Sequence, residues 1–418
     1  MFFDIRDYGA VPDGVTRNTD AIQTAIDACA AAGGGTVQIA GGVYMTGMIE
    51  LKSGVNLHLE TDGRLLGSPD CADYPEKDRV HVDRQKLPRR RGACLIFAEE
   101  CRNISITGPG TIDGNGEAFI EPVPANEAYW MPYRRIDAPT PPRVVFFTGC
   151  QNVLVEDVTM TNQPAGWSYW IHDCDDVHFD RVKIRARVDF PNNDGIHINA
   201  SRNVTVSNSV ISCGDDCLIV RANNLSLKEN KVCEKVTVTN CTLTSHSAGI
   251  RVGWVNDGVI RNCTFSNLVM TDTTVGISIL LPRGYDGAGN RLPDNGREAT
   301  QIEYLSFDHI IMDRGYSCPI YVHIQDDPDT HCRFVRNLFF SHIHARALQL
   351  PCIEGRADCP VEDLTFSDCS FERLPVSADD HCNHGAVVRR QPNYVDSVQL
   401  AHVRNIRFNN TSISVMDE

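Results

Sequence analysis

The 418-residue chain carries 54 acidic against 39 basic residues, a formal net charge of −15. That balance argues against nucleic acid and anionic membranes as partners, since both would be repelled. No run approaches the ~20 consecutive apolar residues of a membrane-spanning helix, and 31 glycines with 21 prolines favour turns and short strands.

Residues 4–16 read as a short strand and turn. Asn18 or Thr19 can then cap a helix whose Ala21, Ile22, Ala25, Ile26 and Cys29 make one apolar face, ended by Gly33-Gly34-Gly35. The glycines follow the helix and no G-K-[ST] accompanies them, which argues against a phosphate-binding loop. Such a helix is expected to cap the open end of a solenoid, where a terminal coil would otherwise expose its core. Met1-Phe2-Phe3-Asp4 enters the first strand without a basic or long apolar leader. A cytoplasmic location is therefore expected if Met1 is native, and a secreted one if the N-terminus was trimmed.

Further along, a phrase of the type (K/R/D)-N/D-V-x-V/F recurs at Val153, Val177, Val204, Val236 and Val259, at spacings of 24, 27, 32 and 23 residues, with copies at Leu305, Leu338, Leu364 and Ile406. Short alternating strands at this period predict an all-β fold, a single-stranded right-handed parallel β-helix with a short N-terminal capping helix. One domain is expected over 1–418, with the cap and first coils in 1–60 and regular coils carrying a groove in 144–415. Leucine-rich repeats would need L-x-x-L-x-L, and a propeller about 40 residues per blade. Insertions at 71–92, 117–143 and 283–300 break the rhythm and are expected to wall a groove. The basic run Lys86 to Arg91 reads as a solvated loop.

Seventeen cysteines without a C-x-x-C motif read as free thiols packed as small hydrophobes. Those of Asn240-Cys241-Thr242, Asn262-Cys263-Thr264 and Asp368-Cys369-Ser370 are expected to stack as internal ladders. The polar run Asp379 to His384 has ligands too close together for a standard zinc site and reads as a loop. No metal site and no cofactor are expected.

The stretch from Asn192 to Gly253 concentrates the chemistry: P-N-N-D-G-I-H-I, C-G-D-D-C-L-I-V-R and S-H-S-A-G-I-R-V-G. Stacked coils could bring Asp194, Asp215, Asp216, His246 and Arg251 onto one wall. Adjacent strand residues face opposite ways, so Asp215 and Asp216 need a bend or bulge, for which Gly214 is the candidate. Read alone, one aspartate of such a pair would cap a turn, and a histidine in a turn would be a surface or hydrogen-bonded structural residue.

N-x-D-G, G-D-D-C and H-x-x-G-I-x-x-G, in that order, resemble the signature blocks of glycoside hydrolase family 28, the polygalacturonase-like enzymes. D-Y-G-A-V-P-D-G and G-V-Y-M-T-G extend the resemblance to the N-terminus. It implies hydrolysis of a glycosidic bond in a pectin-related oligosaccharide with inversion at the anomeric carbon, with Asp215 as general acid, Asp194 and Asp216 holding the attacking water, and His246 tuning the acid and the sugar contacts. Clustered carboxylates repel one another, which favours keeping one protonated. Asn192, Arg221, Arg251, Trp254, Arg283 and Tyr285 are candidates for substrate binding. Trp167 and Trp170 read as core.

The family's R-I-K block falls on Ser278-Ile279-Leu280, so both cations that grip a galacturonate carboxylate are replaced. That predicts a hydrolase other than a standard polygalacturonase, with an oligosaccharide as substrate; a cytoplasmic position would favour exo-action on short chains. Two alternatives are a lyase or epimerase acting on a uronic-acid glycan with carboxylate-bound calcium, and a non-catalytic glycan-binding β-helix.

Overall fold

A computed structural model describes residues 1–76, 92–127, 129, 131–255, 257–282, 298–375 and 395–416. The Lys86–Arg91 run, Trp130, Arg283, Tyr285 and the Asp379–His384 run lie outside the described residues. The chain packs as two compact units, one of Met1–His197, Arg202–Gly214 and Leu225–Lys228, the other of Ile198–Ser201, Asp215–Asn224 and Glu229–Glu418. The fold is an all-β right-handed parallel β-helix with a capping α-helix. Among the described helices, none is long and apolar enough to cross a membrane.

The first unit winds three ladders of parallel strands. One runs from Phe2–Asp4 through Gly35–Ile39, Val55–Leu59, Arg102–Thr107, Gln151–Glu156 and Asp175–Asp180 to Arg202–Ser207. A second contains Gly42–Thr46, Gly63–Gly67, Thr111–Asp113, Thr159–Thr161, Lys183–Arg185 and Val210–Cys213. The third contains Ile49–Glu50, Ile96–Glu99, Arg143–Thr148 and Trp167–His172. The helix Thr19–Ala31 buries Ile22, Ala25, Ile26 and Cys29 and packs against Phe2–Asp4, Gly35–Ile39 and Ile49–Glu50. Asn18 sits at its N-cap position without a side-chain bond to the helix. Its amide is instead turned to the preceding loop, accepting from Val11 N at 2.6 Å and donating to Thr16 O at 2.7 Å. Gly33 is left-handed, at φ 91°, as a helix terminus requires.

The recurring phrase has a backbone cause. Its Asn or Asp turns a corner in the left-handed region, as at Asn103, Asn152, Asp176 and Asn203, with φ of 54–58°. Short amide and carboxylate side chains tolerate that region best. They also bond along the stack: Asn152 Nδ2 donates to Asn103 Oδ1 at 2.7 Å, and Asn203 Nδ2 to Asp176 Oδ1 at 2.9 Å. The apolar residues that follow point inward, where period-2 alternation buries them.

In the second unit the strands Cys233–Ser245, Val259–Thr271, Thr300–Gly315, Cys332–Ala347, Val361–Ser367 and Val403–Asn409 pair in succession. Phe265, Phe307, Phe340, Phe366 and Phe408 form one ladder, buried up to Phe366 and exposed at Phe408, with centroids 5.0, 5.2, 4.7 and 4.9 Å apart and planes within 12°. A second ladder joins Leu218–Arg221, Ala248–Val252, Val275–Leu281, Ile320–Ile324 and Cys352–Glu354.

Two expectations are corrected by register. Val236 pairs with Cys263 rather than Val259, and Cys263 in turn with Leu305; the apparent G-V-I repeat lies four residues early. The two N-C-T phrases therefore do not stack on each other, and Cys241 pairs with Leu268. Cysteines follow one another on successive coils elsewhere, at Cys101, Cys150 and Cys174, where each thiol donates to the carbonyl two residues before it. The insertion at 117–143 carries a two-stranded antiparallel ribbon, Ile120–Pro122 with Tyr133–Arg135.

Candidate active site

The N-N-D-G motif lies in the first unit. Asn192 is left-handed at φ 54°. Asn193 is buried and ties the loop down, its Oδ1 accepting from Gly214 N at 2.7 Å and its Nδ2 donating to Arg187 O at 2.6 Å. Gly214 is required for closeness rather than for a bulge: it is not among the positive-φ residues, but a Cβ there would lie 2.3 Å from Phe190 O and 2.8 Å from Asn193 Oδ1.

Asp194 is buried and its Oδ2 bonds His197 Nε2 at 2.8 Å. The carbonyl of Asp194 accepts from Ser168 N and Oγ at 2.9 and 2.7 Å. His197 stacks on Trp167, centroids 3.9 Å apart and planes at 17°. The imidazole thus has its ring face and its carboxylate bond both fixed, and it holds Asp194 in one rotamer. Sequence reading passed over His197. The signal available was its place between Ile196 and Ile198, which are both buried and leave it facing away from them. Trp170 stacks on Phe146 at 4.5 Å and the Arg143 guanidinium lies over Trp170 at 4.0 Å, so both tryptophans are packed and buried as expected.

The D-D-C motif opens the second unit. Asp215 and Asp216 stand in the bend between the strands Val210–Cys213 and Leu218–Arg221, so strand alternation does not constrain them. Asp215 is partly exposed, and its Oδ1 accepts from Asp216 N at 3.1 Å. Asp216 is 6% exposed. Its Oδ1 accepts from Ser247 Oγ at 2.8 Å, Ala248 N at 3.0 Å and Arg251 Nη2 at 2.9 Å, and its Oδ2 accepts from Arg251 Nε. The carboxylate is thus held by a two-pronged guanidinium and two further donors, which fixes its geometry.

The Ser245-His246-Ser247 turn is fastened at both ends. Ser245 Oγ donates to Asp215 O at 2.5 Å, and Ser247 Oγ reaches the Asp216 carboxylate. His246, partly exposed, is carried between them.

Arg221 donates through Nε and Nη2 to the buried Asp257 carboxylate at 2.6 and 2.7 Å. Asp257 was not foreseen as its partner. Trp254 is half-buried beneath both guanidiniums, 5.9 Å from Arg221 and 5.2 Å from Arg251. The register pairs Arg251 with Ser278 and Ser278 with Tyr321. A guanidinium therefore stands one coil before the position that lacks one. Ser278 is fully buried. Leu280 belongs to an apolar cluster with Tyr321, Cys352 and Trp254, which fits an uncharged residue where the family has Lys.

Residues 79–231 match glycosyl hydrolases family 28, and residues 2–61 match the rhamnogalacturonase A/epimerase, pectate lyase-like group. The chain is similar to glycoside hydrolase family 28 over the first of these stretches. It is 31% identical over 253 residues to an exo-poly-α-D-galacturonosidase of Dickeya chrysanthemi, covering 51% of this chain and 41% of that one. It is 26% identical over 299 residues to a Zea mays exopolygalacturonase, covering 65% of this chain and 67% of the relative. Among solved structures, a Thermotoga maritima exopolygalacturonase superposes with a TM-score of 0.74 at 20% identity, over 99% of this chain and 92% of that one, and speaks for the fold.

Proposed function

We propose that the protein is an exo-acting glycoside hydrolase that cleaves a pectin-related oligosaccharide with inversion. Asp215 acts as general acid; Asp194 and Asp216 hold and activate the water; His246 contacts the sugar beside the acid. The observation that carries this reading is the contrast within the D-D-C motif. Asp216 is buried and bonded to Arg251, Ser247 and the Ala248 amide, while Asp215 beside it is partly exposed. A buried carboxylate paired with a guanidinium beside one open to solvent supports a division of roles in acid–base hydrolysis. The names of the Dickeya and maize relatives support exo action.

The substrate is an oligosaccharide in which a neutral sugar, rhamnose for example, replaces galacturonate next to the scissile bond. With Ser278 and Leu280 in the R-I-K positions, a uronate carboxylate there would lack two cations, and losing a polar match costs several kcal/mol in discrimination, about 10⁴-fold or more in the strongest cases. A panel of polygalacturonate, rhamnose-containing pectic fragments and neutral glycosides, followed by NMR of the anomeric proton, tests this. Inverted product from a neutral or mixed-sugar substrate is expected. Retention would refute the mechanism, and preferred cleavage of polygalacturonate would refute the substrate.

The N-terminal pectate lyase-like match favours β-elimination as the second reading. Ultraviolet-absorbing unsaturated product, dependent on calcium, would replace hydrolysis by that chemistry.

A further inference from the structure

In the second unit, Thr300–Gly315 and Cys332–Ala347 run parallel with Asp308 opposite Ser341 and Ile310 opposite Ile343. That register puts His309 and His342 at one corner on successive coils, both left-handed, at φ 51° and 49°. Neighbouring coils fill the same corner with Asn240, Asn267, Asp368 and Asn410, also left-handed. Histidine tolerates this backbone region as asparagine does, and tolerance alone would explain one histidine here. It does not explain two in succession that share a carboxylate.

Asp308 Oδ2 bonds His309 Nδ1 at 2.6 Å, and Asp308 Oδ1 bonds His342 Nδ1 at 3.0 Å and Ser341 Oγ at 2.6 Å. The two rings stack with centroids 4.4 Å apart and planes at 20°. Their side chains are 58% and 48% exposed. An Nδ1–H donated to a carboxylate fixes the tautomer that carries its lone pair on Nε2, the arrangement that orients metal-ligating imidazoles. Ligand atoms of Asp308, His309 and His342 lie within 4.8 Å of one another, and both rings are exposed, so reoriented rings can share one ion at zinc–nitrogen distances of about 2.0–2.1 Å, with water completing its shell.

We propose that His309 and His342 bind a divalent transition-metal ion, with Asp308 positioning both rings, and that the ion clips two neighbouring coils together. Imidazole donors favour zinc, nickel or copper over calcium or magnesium. The two histidines lie in separate coils, so no local metal spacing marks them in the sequence. The site is independent of the proposed hydrolytic reaction.

The test is isothermal titration of the full chain with zinc chloride, and separately nickel chloride, in chelator-free buffer. The variants are His309→Asn and His342→Asn, which suit the corner because neighbouring coils already place Asn there. The wild type should show a saturable component and a metal-dependent rise in melting temperature. Both should weaken at least tenfold in each variant and persist in His344→Asn, whose ring bonds Ser370 Oγ instead. No saturable binding by the wild type, undiminished binding in both corner variants, or equal binding of calcium chloride would overturn the proposal.

Discussion

Arg251→Met isolates the energetics of the D-D-C motif. Arg251 is 5% exposed and Asp216 6%, so neither charge is compensated by bulk water. The substitution preserves much of the stem volume while deleting both guanidinium bonds to Asp216, leaving that carboxylate only Ser247 Oγ and the Ala248 amide. Breaking a buried ion pair from one side typically costs about 3–5 kcal/mol, because the remaining charge stays desolvated. Two surviving neutral donors place the expected loss toward the lower end, about 3 kcal/mol. Asp216→Asn in the Arg251→Met background removes the orphaned charge. The double variant should therefore be more stable than Arg251→Met alone, with a coupling energy above about 1 kcal/mol between the two sites. Denaturant unfolding of the four proteins of the cycle, followed by fluorescence and circular dichroism, reads both quantities. A loss below about 1 kcal/mol in Arg251→Met, or strictly additive single effects, would show that the pair is solvated and refute the picture of a buried ion pair.

Further outcomes follow from other sites. Asp215→Asn should reduce turnover by about 10²–10⁴-fold with the melting temperature unchanged, since it removes a proton donor at nearly constant volume; wild-type turnover would move the acid elsewhere. No disulfide joins the sixteen described cysteines, so reductant should shift melting little, whereas loss of a structural disulfide would cost about 2–5 kcal/mol. Mild oxidant should link Cys332 to Cys359 first, because their sulfurs lie 2.8 Å apart and the shared thiol hydrogen bond, with Arg356, favours the thiolate on Cys359; peptide mass spectrometry finding another linkage first would contradict this. Arg181 bonds Glu156, Asp157 and Asp180, and both aspartates titrate below the usual range: the Arg181 bond lowers Asp157, while for Asp180 burial acts upward and is outweighed by bonds from Asn208, Ser207 and Arg181. A depressed folded-state pKa gives stability that is present above about pH 4 and lost as pH falls through the folded value. Arg181→Met should flatten that acid limb slightly, given its exposure, and the effect should shrink in salt; an unchanged limb at low salt would discount the cluster.

The sequence by itself determined the winding. Period-2 apolar runs separated by Asn or Asp specify short strands joined at left-handed corners, because the backbone at Asn152 or Asn203 is constrained locally whatever packs around it. The capping helix was legible for the same reason: its apolar face and terminal glycines are local signals. Motif spacing also marked Asp194, Asp215, Asp216 and His246. What tertiary structure alone decided is which side chains from different coils meet. Arg251 bonds Asp216 and Arg221 bonds Asp257 across 35 and 36 residues, and Arg251 stands in register with Ser278. Such pairings depend on strand register and on coil lengths that vary, and a shift of one residue turns every side chain to the opposite face. The misplaced Val259 repeat shows how little the sequence constrains that register. His197 escaped notice because its importance comes from Trp167 stacking on its ring and Asp194 fixing its nitrogen, contacts that exist only once the coils are stacked.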